Sequence, residues 1–96
     1  MKQLTNNLIT GDTVDNKIYG KENCQHWCYY VISEKAYQTD AGEYLTHSIK
    51  VTGSNYIDVL HDISVYEDQV SQMTELFNLY QLSPVHLQDA VENMLN

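Results

Sequence analysis

The side chains of this chain that could do chemistry are four histidines, two cysteines and thirteen carboxylates, and their spacing limits what they can do. Cys24-Gln25-His26-Trp27-Cys28 invites a metal reading, because thiolate and imidazole are good zinc ligands. If the segment is extended, Cys24 and Cys28 share a face but lie about 13 Å apart at about 3.3 Å per residue, too far for one tetrahedral ion or a disulfide. A tight turn at residues 23–25 would bring them closer; otherwise they read as buried, inert thiols. His47 and His61 fall in two alternating stretches that can pair, which would set the imidazoles about 5 Å apart. Two such rings could share a metal ion or repel when protonated. The plainer reading is a pair of hydrogen-bonded histidines at a sheet margin. His86 reads as a first-turn helical residue. No nucleophile turn, phosphate loop or dinucleotide fingerprint is present, so no catalysis, cofactor or resident metal is expected.

The carboxylates are distributed unevenly. Residues 1–50 carry five lysines against six acids, a net −1, whereas residues 51–96 carry seven acids and no lysine or arginine, a net −7. A half without cations cannot neutralise phosphates, which disfavours direct binding of nucleic acid or an anionic membrane. Asp58 and Asp62 on an outer sheet face, Glu67 and Asp68 at a helix start and Glu75 two turns on would form a continuous negative field beside Tyr44 and Tyr56. Such a surface suits a basic protein groove. The bland account of the same charge is solubility.

These residues need elements to hold them. Leu8-Ile9-Thr10 reads as a short strand, Gly11-Asp12 as a turn and Ile18-Tyr19 as a further extended piece. His26 to Ile32 is dense in aromatic and β-branched residues and reads as a central strand, with a loop over 38–42. Leu45 to Val51 and Ile57 to Ile63 alternate with period two around Gly53-Ser54-Asn55. A three-residue loop there pairs Val51 with Ile57, Ile49 with Val59, His47 with His61 and Leu45 with Ile63, placing every apolar residue on one side. At Ser64 the period changes to 3.6. Ser64 and Glu67 form a capping box, and Tyr66, Val70, Met73, Phe77 and Tyr80, widened by Leu76 and Leu79, give a helical stripe to about Gln81. Ser83-Pro84 starts a second helix with Leu87, Ala90, Val91, Met94 and Leu95 on its apolar side. The expected fold is α+β: one domain over 1–96, an antiparallel sheet of three or four strands over about 4–63, and a helical hairpin over about 65–95 packed on one face. The lone lysine and lack of an apolar run over Met1 to Leu8 argue against a secretory signal, and no stretch approaches a bilayer-spanning length, so the expectation is a cytoplasmic protein with reduced thiols.

The stretch from Ile63-Ser64 to Ser83-Pro84-Val85-His86-Leu87-Gln88-Asp89-Ala90-Val91-Glu92-Asn93-Met94-Leu95 resembles the end of a family of small uncharacterised proteins from Clostridia and related Firmicutes. That resemblance covers the last third of the chain, with Asn93 where the family usually carries an acid. It implies a bacterial or phage-borne origin and a strands-then-helices plan, and carries no activity. In composition alone the chain is also similar to small acidic phage-encoded inhibitors of defence nucleases, anti-CRISPR proteins among them. The carboxylates and the lack of catalytic motifs point to a non-catalytic acidic protein-binding module, and one form of it is an inhibitor that occupies a basic, nucleic-acid-binding groove of its partner. The alternatives are a small-molecule or metal-binding domain built on His47 and His61, with or without His26, and a homodimer formed through the helices.

Overall fold

The computed structural model describes residues 8–95 and shows a four-stranded antiparallel sheet followed by two helices. Strands β1 (Leu8–Ile18), β2 (Cys28–Gln38), β3 (Gly42–Gly53) and β4 (Tyr56–Ser64) lie in sequence order. Helices α1 (Glu67–Tyr80) and α2 (Leu87–Leu95) follow, a 3-10 turn over Pro84–His86 leading into α2. Residues 1–7, where the sheet was expected to begin and where a leader was argued against, lie outside the described residues.

Strands β2 and β3 form the centre, paired without interruption from Cys28↔Thr52 to Gln38↔Gly42. Their odd-numbered residues Tyr29, Val31, Ile49 and Val51 meet Val70, Met73 and Phe77 of α1 and Leu87 and Val91 of α2 in one core cluster. Tyr29 packs edge-on against Phe77, ring centroids 5.4 Å apart, an arrangement favoured by the ring quadrupoles.

Four expectations are corrected. Gly11-Asp12 lies inside β1, in a stretch where the register against β2 shifts between Ile9 and Thr13, so the chain bulges there instead of turning. The β3–β4 loop has two residues, Ser54 and Asn55, with Gly53 opposite Tyr56, Val51 opposite Asp58 and Ile49 opposite Leu60. Asn55 takes the left-handed conformation (φ 61) that a tight hairpin requires. The apolar row Ile57, Val59 and His61 therefore faces away from the helices, with Ile57 66% exposed. Leu60 enters the core instead, and Ile63 packs against it. A shift between His47 and Ile49, with Asp62 at φ 56 on the opposing strand, lets residues three apart share a face.

The helix starts are different too. Ser64 caps nothing in α1: its Oγ accepts from the Tyr66 N–H at 3.0 Å and donates to Gln69 at 2.7 Å, while Glu67 turns towards β1. Finally, α1 buries Thr74 and Asn78 and leaves Leu76, Leu79 and Tyr80 exposed, as is Tyr66 just before it. The helix is rotated from its most apolar stripe because Asn78 serves backbone groups that no apolar side chain could.

Candidate functional site

A concave surface lies where the connection from β1 to β2 meets the β3–β4 hairpin. An open groove of about 460 Å³ runs between residues 25–28 and Thr52, Gly53 and Ser54. Its volume is within the usual range for ligand or side-chain recognition. Connecting loops are normally mobile, but this one is held by two amides at the end of α1.

Asn78 fills the gap where β1 and β2 part beyond the Ile18↔Tyr30 pair. Its Oδ1 accepts from the Tyr29 N–H at 2.8 Å, and its Nδ2 donates to the carbonyls of Tyr19 (2.6 Å) and Tyr29 (3.0 Å). The side chain thus continues the ladder in place of a strand residue. Gln81 ends α1 in the left-handed conformation (φ 51), the Leu82 N–H closing onto the Phe77 carbonyl. That geometry points the Gln81 amide at the loop. Its Oε1 accepts from the N–H groups of Gln25 (3.2 Å), His26 (2.8 Å) and Trp27 (2.9 Å), and its Nε2 donates to the Trp27 carbonyl at 2.9 Å.

The held loop lays the Trp27 indole over Gly53 and edge-on to Tyr56, with centroids 5.6 Å apart. A Cβ on Gly53 would sit 2.5 Å from two indole carbons and 3.1 Å from the His26 carbonyl. Gly53→Ala is therefore expected to displace the indole and cost about 1–3 kcal/mol. Trp27 is the sole tryptophan, so its emission in the folded state reports the displacement directly, alongside a urea melt. An unchanged spectrum and midpoint would rule out the contact.

Bends at residues 25 and 26, between the two cysteines, remove the straight extension that would hold the thiols about 13 Å apart. Cys24 donates to Asn78 Oδ1 at 3.5 Å and interacts with the Cys28 thiol. Burial, followed by the hydrogen bond with Cys28, pushes the Cys24 thiol up to about 12. Burial likewise raises the Tyr29 phenol, whose hydroxyl donates to the Leu82 carbonyl.

The histidines do not pair. His47 is buried on the helix-facing side and hydrogen-bonded through Nδ1 to Ser33 Oγ at 2.8 Å. His61 belongs to the opposite face, where its Nδ1 meets Glu34 Oε1 at 2.8 Å. The bulge and two-residue turn put the two rings on different sides, so the shared metal site has no geometric basis. Among the described residues no three His, Cys, Asp or Glu side chains are grouped as metal ligands. His86 is exposed in the turn before α2, and His26 is exposed at the groove.

Around Glu34 lies a polar cluster that the sequence did not disclose. The carboxylate is 5% exposed and accepts from both Ser48 Oγ and His61. Ser48 Oγ in turn accepts from the Asp62 N–H at 3.0 Å. Serine and imidazole both bond to the acid and the serine is fully buried, an arrangement that braces the β4 bulge and does not form a nucleophile relay.

The acids are dispersed. Asp62 is turned into the sheet, accepting from Thr46 Oγ1 (2.7 Å) and the Tyr44 hydroxyl (3.1 Å). Asp58 is exposed on the other side of β4, where its Oδ1 accepts from the following Val59 N–H at 2.9 Å. Asp15 does the same for Asn16 on β1 at 2.8 Å, so both outer strands carry an aspartate that occupies a backbone donor and adds charge, a common protection of sheet edges. Glu67 is covered by Lys17 at 3.1 Å and by the Tyr19 hydroxyl at 3.3 Å, and the lysine hydrogen bond holds its carboxyl below the usual range. Asp68 and Glu75 remain exposed on α1. Thus five acids expected on one face are divided among an edge, a part-buried bulge, an ion pair and a helix surface. Tyr56 packs against Trp27, which lines the groove, whereas Tyr44 is engaged with Asp62.

A family model described as "Family of unknown function (DUF6514)" matches residues 6–96. The chain belongs to this family. Comparison with curated proteins and with solved structures returns no match. The DUF6514 match covers both the amide-held loop and the helices, well beyond the final third on which the sequence resemblance rested. No helix among the described residues of this DUF6514 protein is long and apolar enough to cross a membrane.

Proposed function

We propose that this DUF6514 protein is a non-catalytic, cytoplasmic protein-binding module of bacterial or phage origin that receives a basic segment of its partner at the groove beside Trp27 and Tyr56. The observation that carries the reading is the rigid presentation of these rings: Gln81 holds the loop backbone through three N–H groups, and the indole lies fixed against Gly53 and Tyr56. Tryptophan and tyrosine are enriched among the few residues that dominate interface energy, and rings already immobilised lose little rotamer freedom on binding. Asp58, two residues along β4 from Tyr56, and the net −7 of residues 51–96 favour lysine and arginine on the partner. The inhibitor of a nucleic-acid-binding groove is one form of this reading. It draws support from charge and size, and the dispersal of the acids moves its centre from the α1 surface to the hairpin end.

The test is affinity capture from native-host extract over a salt ladder. A partner bound in this way is retained at low salt, released as ionic strength rises, and weakened by about 2 kcal/mol or more with Tyr56→Ala, the scale of an interface hot spot. Asp58→Lys should shift release to lower salt. Asp89→Lys with Glu92→Lys, on α2 and outside the groove, should leave capture unchanged. Capture that ignores the Tyr56 and Asp58 substitutions but is lost with the α2 pair would remove the proposal.

A further inference from the structure

We propose that Cys24 and Cys28 are a closing dithiol pair, a modification site at which a small-molecule disulfide such as oxidised glutathione converts the two thiols into one intramolecular disulfide. The inference concerns the covalent chemistry of the loop and does not depend on what the groove binds.

Three placements carry it. Cys24 leaves the turn over Lys21–Asn23 in extended conformation (φ −71, ψ 114), and the chain then bends at residues 25 and 26, between the two cysteines, so the segment is not the straight strand that would hold them about 13 Å apart. Cys24 Sγ and the Tyr29 N–H both reach the same acceptor, Asn78 Oδ1, which brings the first thiol beside the strand position that follows Cys28. Both thiols are free and neither is fully buried, and Cys28 lines the groove, so a small disulfide can reach it. Each segment is anchored separately, Cys24 at Asn78 and the 25–27 backbone at Gln81. Holding the thiols together before reaction raises their effective concentration, because the entropy of bringing them together is already lost on folding.

The order of events follows from accessibility and from burial of Cys24, whose thiol stays protonated at neutral pH. Cys28, as thiolate, attacks one sulfur of the small disulfide and releases one thiolate, leaving a mixed disulfide on Cys28. Cys24, losing its proton as it reacts, attacks Cys28 Sγ and expels the second thiolate. Two protein thiols are oxidised by two electrons, one small disulfide is reduced to two thiols, and the two protons end on those leaving groups. The hydrogen bond from Cys24 to Asn78 Oδ1 is lost, while the Tyr29 N–H remains on the same oxygen.

The experiment equilibrates the folded full-length chain with a ladder of oxidised to reduced glutathione, quenches by alkylation and reads intact mass. The expected product is the protein lighter by two hydrogens, with its half-conversion at a glutathione ratio about tenfold more reducing than for the same chain in denaturant. Cys24→Ser should instead accumulate a stable glutathione adduct on Cys28, and Cys28→Ser should react more slowly than wild type. A wild-type chain that stops at the glutathione adduct, stays reduced across the ladder, or closes no more readily folded than unfolded would overturn the proposal.

Discussion

Replacing Asn78 with alanine is expected to lower the unfolding free energy by about 3–5 kcal/mol, because it leaves several buried backbone groups without partners at about 1–3 kcal/mol each. The amide occupies the point where β1 and β2 separate, and its loss orphans the N–H and carbonyl of Tyr29 together with the carbonyl of Tyr19. Asn78 is fully buried, so water cannot replace it without opening the core. Asn78→Asp is a sharper comparison. It retains an acceptor for the Tyr29 N–H but turns an oxygen towards two carbonyls that need a donor, so it should rescue little or nothing. Against a domain stability of about 5–15 kcal/mol, either substitution takes a large fraction. Chemical unfolding, with amide exchange at Tyr29 as the local probe, measures both effects. A loss below about 1 kcal/mol for alanine, within the range of one ordinary hydrogen bond, would show that the amide is incidental.

Gln81→Ala is the second large effect, and it is local. Three N–H groups of residues 25–27 lose one shared acceptor, and the Trp27 carbonyl loses a donor. Water can reach part of this loop, so the expected loss is about 2 kcal/mol, less than for Asn78 despite a similar number of bonds. The structural consequence is the greater one: without its anchor the loop releases the indole from Gly53, and Trp27 emission should shift to that of a solvated ring in a chain that is still folded. Gln81→Gly discriminates between the two tasks of this residue. Glycine accepts the left-handed backbone more readily than glutamine, so it relieves a cost at φ 51 while removing the same amide. It should therefore melt above Gln81→Ala yet show the same fluorescence change. If Gln81→Gly instead kept the native emission, the loop would be held by something other than this side chain.

Both predictions rest on polar residues of a helix whose apolar stripe was read correctly only in part. Val70, Met73 and Phe77 do face the core, but Thr74 and Asn78 face it as well, and Leu76, Leu79 and Tyr80 do not. Apolar periodicity identifies an amphipathic helix and sets its rotation only to within a residue or so. The final choice here belongs to hydrogen-bonding partners contributed by segments about fifty residues away. The β3–β4 register was missed for a related reason. Requiring every apolar residue to lie on one side selected a three-residue loop, whereas the left-handed residues at Asn55 and Asp62 allow a tighter turn and a bulge, leaving Ile57 in solvent. Since one residue of register moves a whole strand face, the supposed histidine pair and the supposed acidic face were lost together.

What the chain encodes locally is the succession of elements: alternation for β3 and β4, a dense apolar segment for β2, and the change to period 3.6 with proline at the second helical segment. These depend on neighbours within a few residues, and the α+β plan follows from them. Which side chains meet across the sheet, which acids are neutralised, and how Asn78 and Gln81 close the loop over two cysteines all depend on groups distant in sequence. Backbone donors left unpaired by the parting strands have no local signature, and only the packed chain determines which side chain satisfies them.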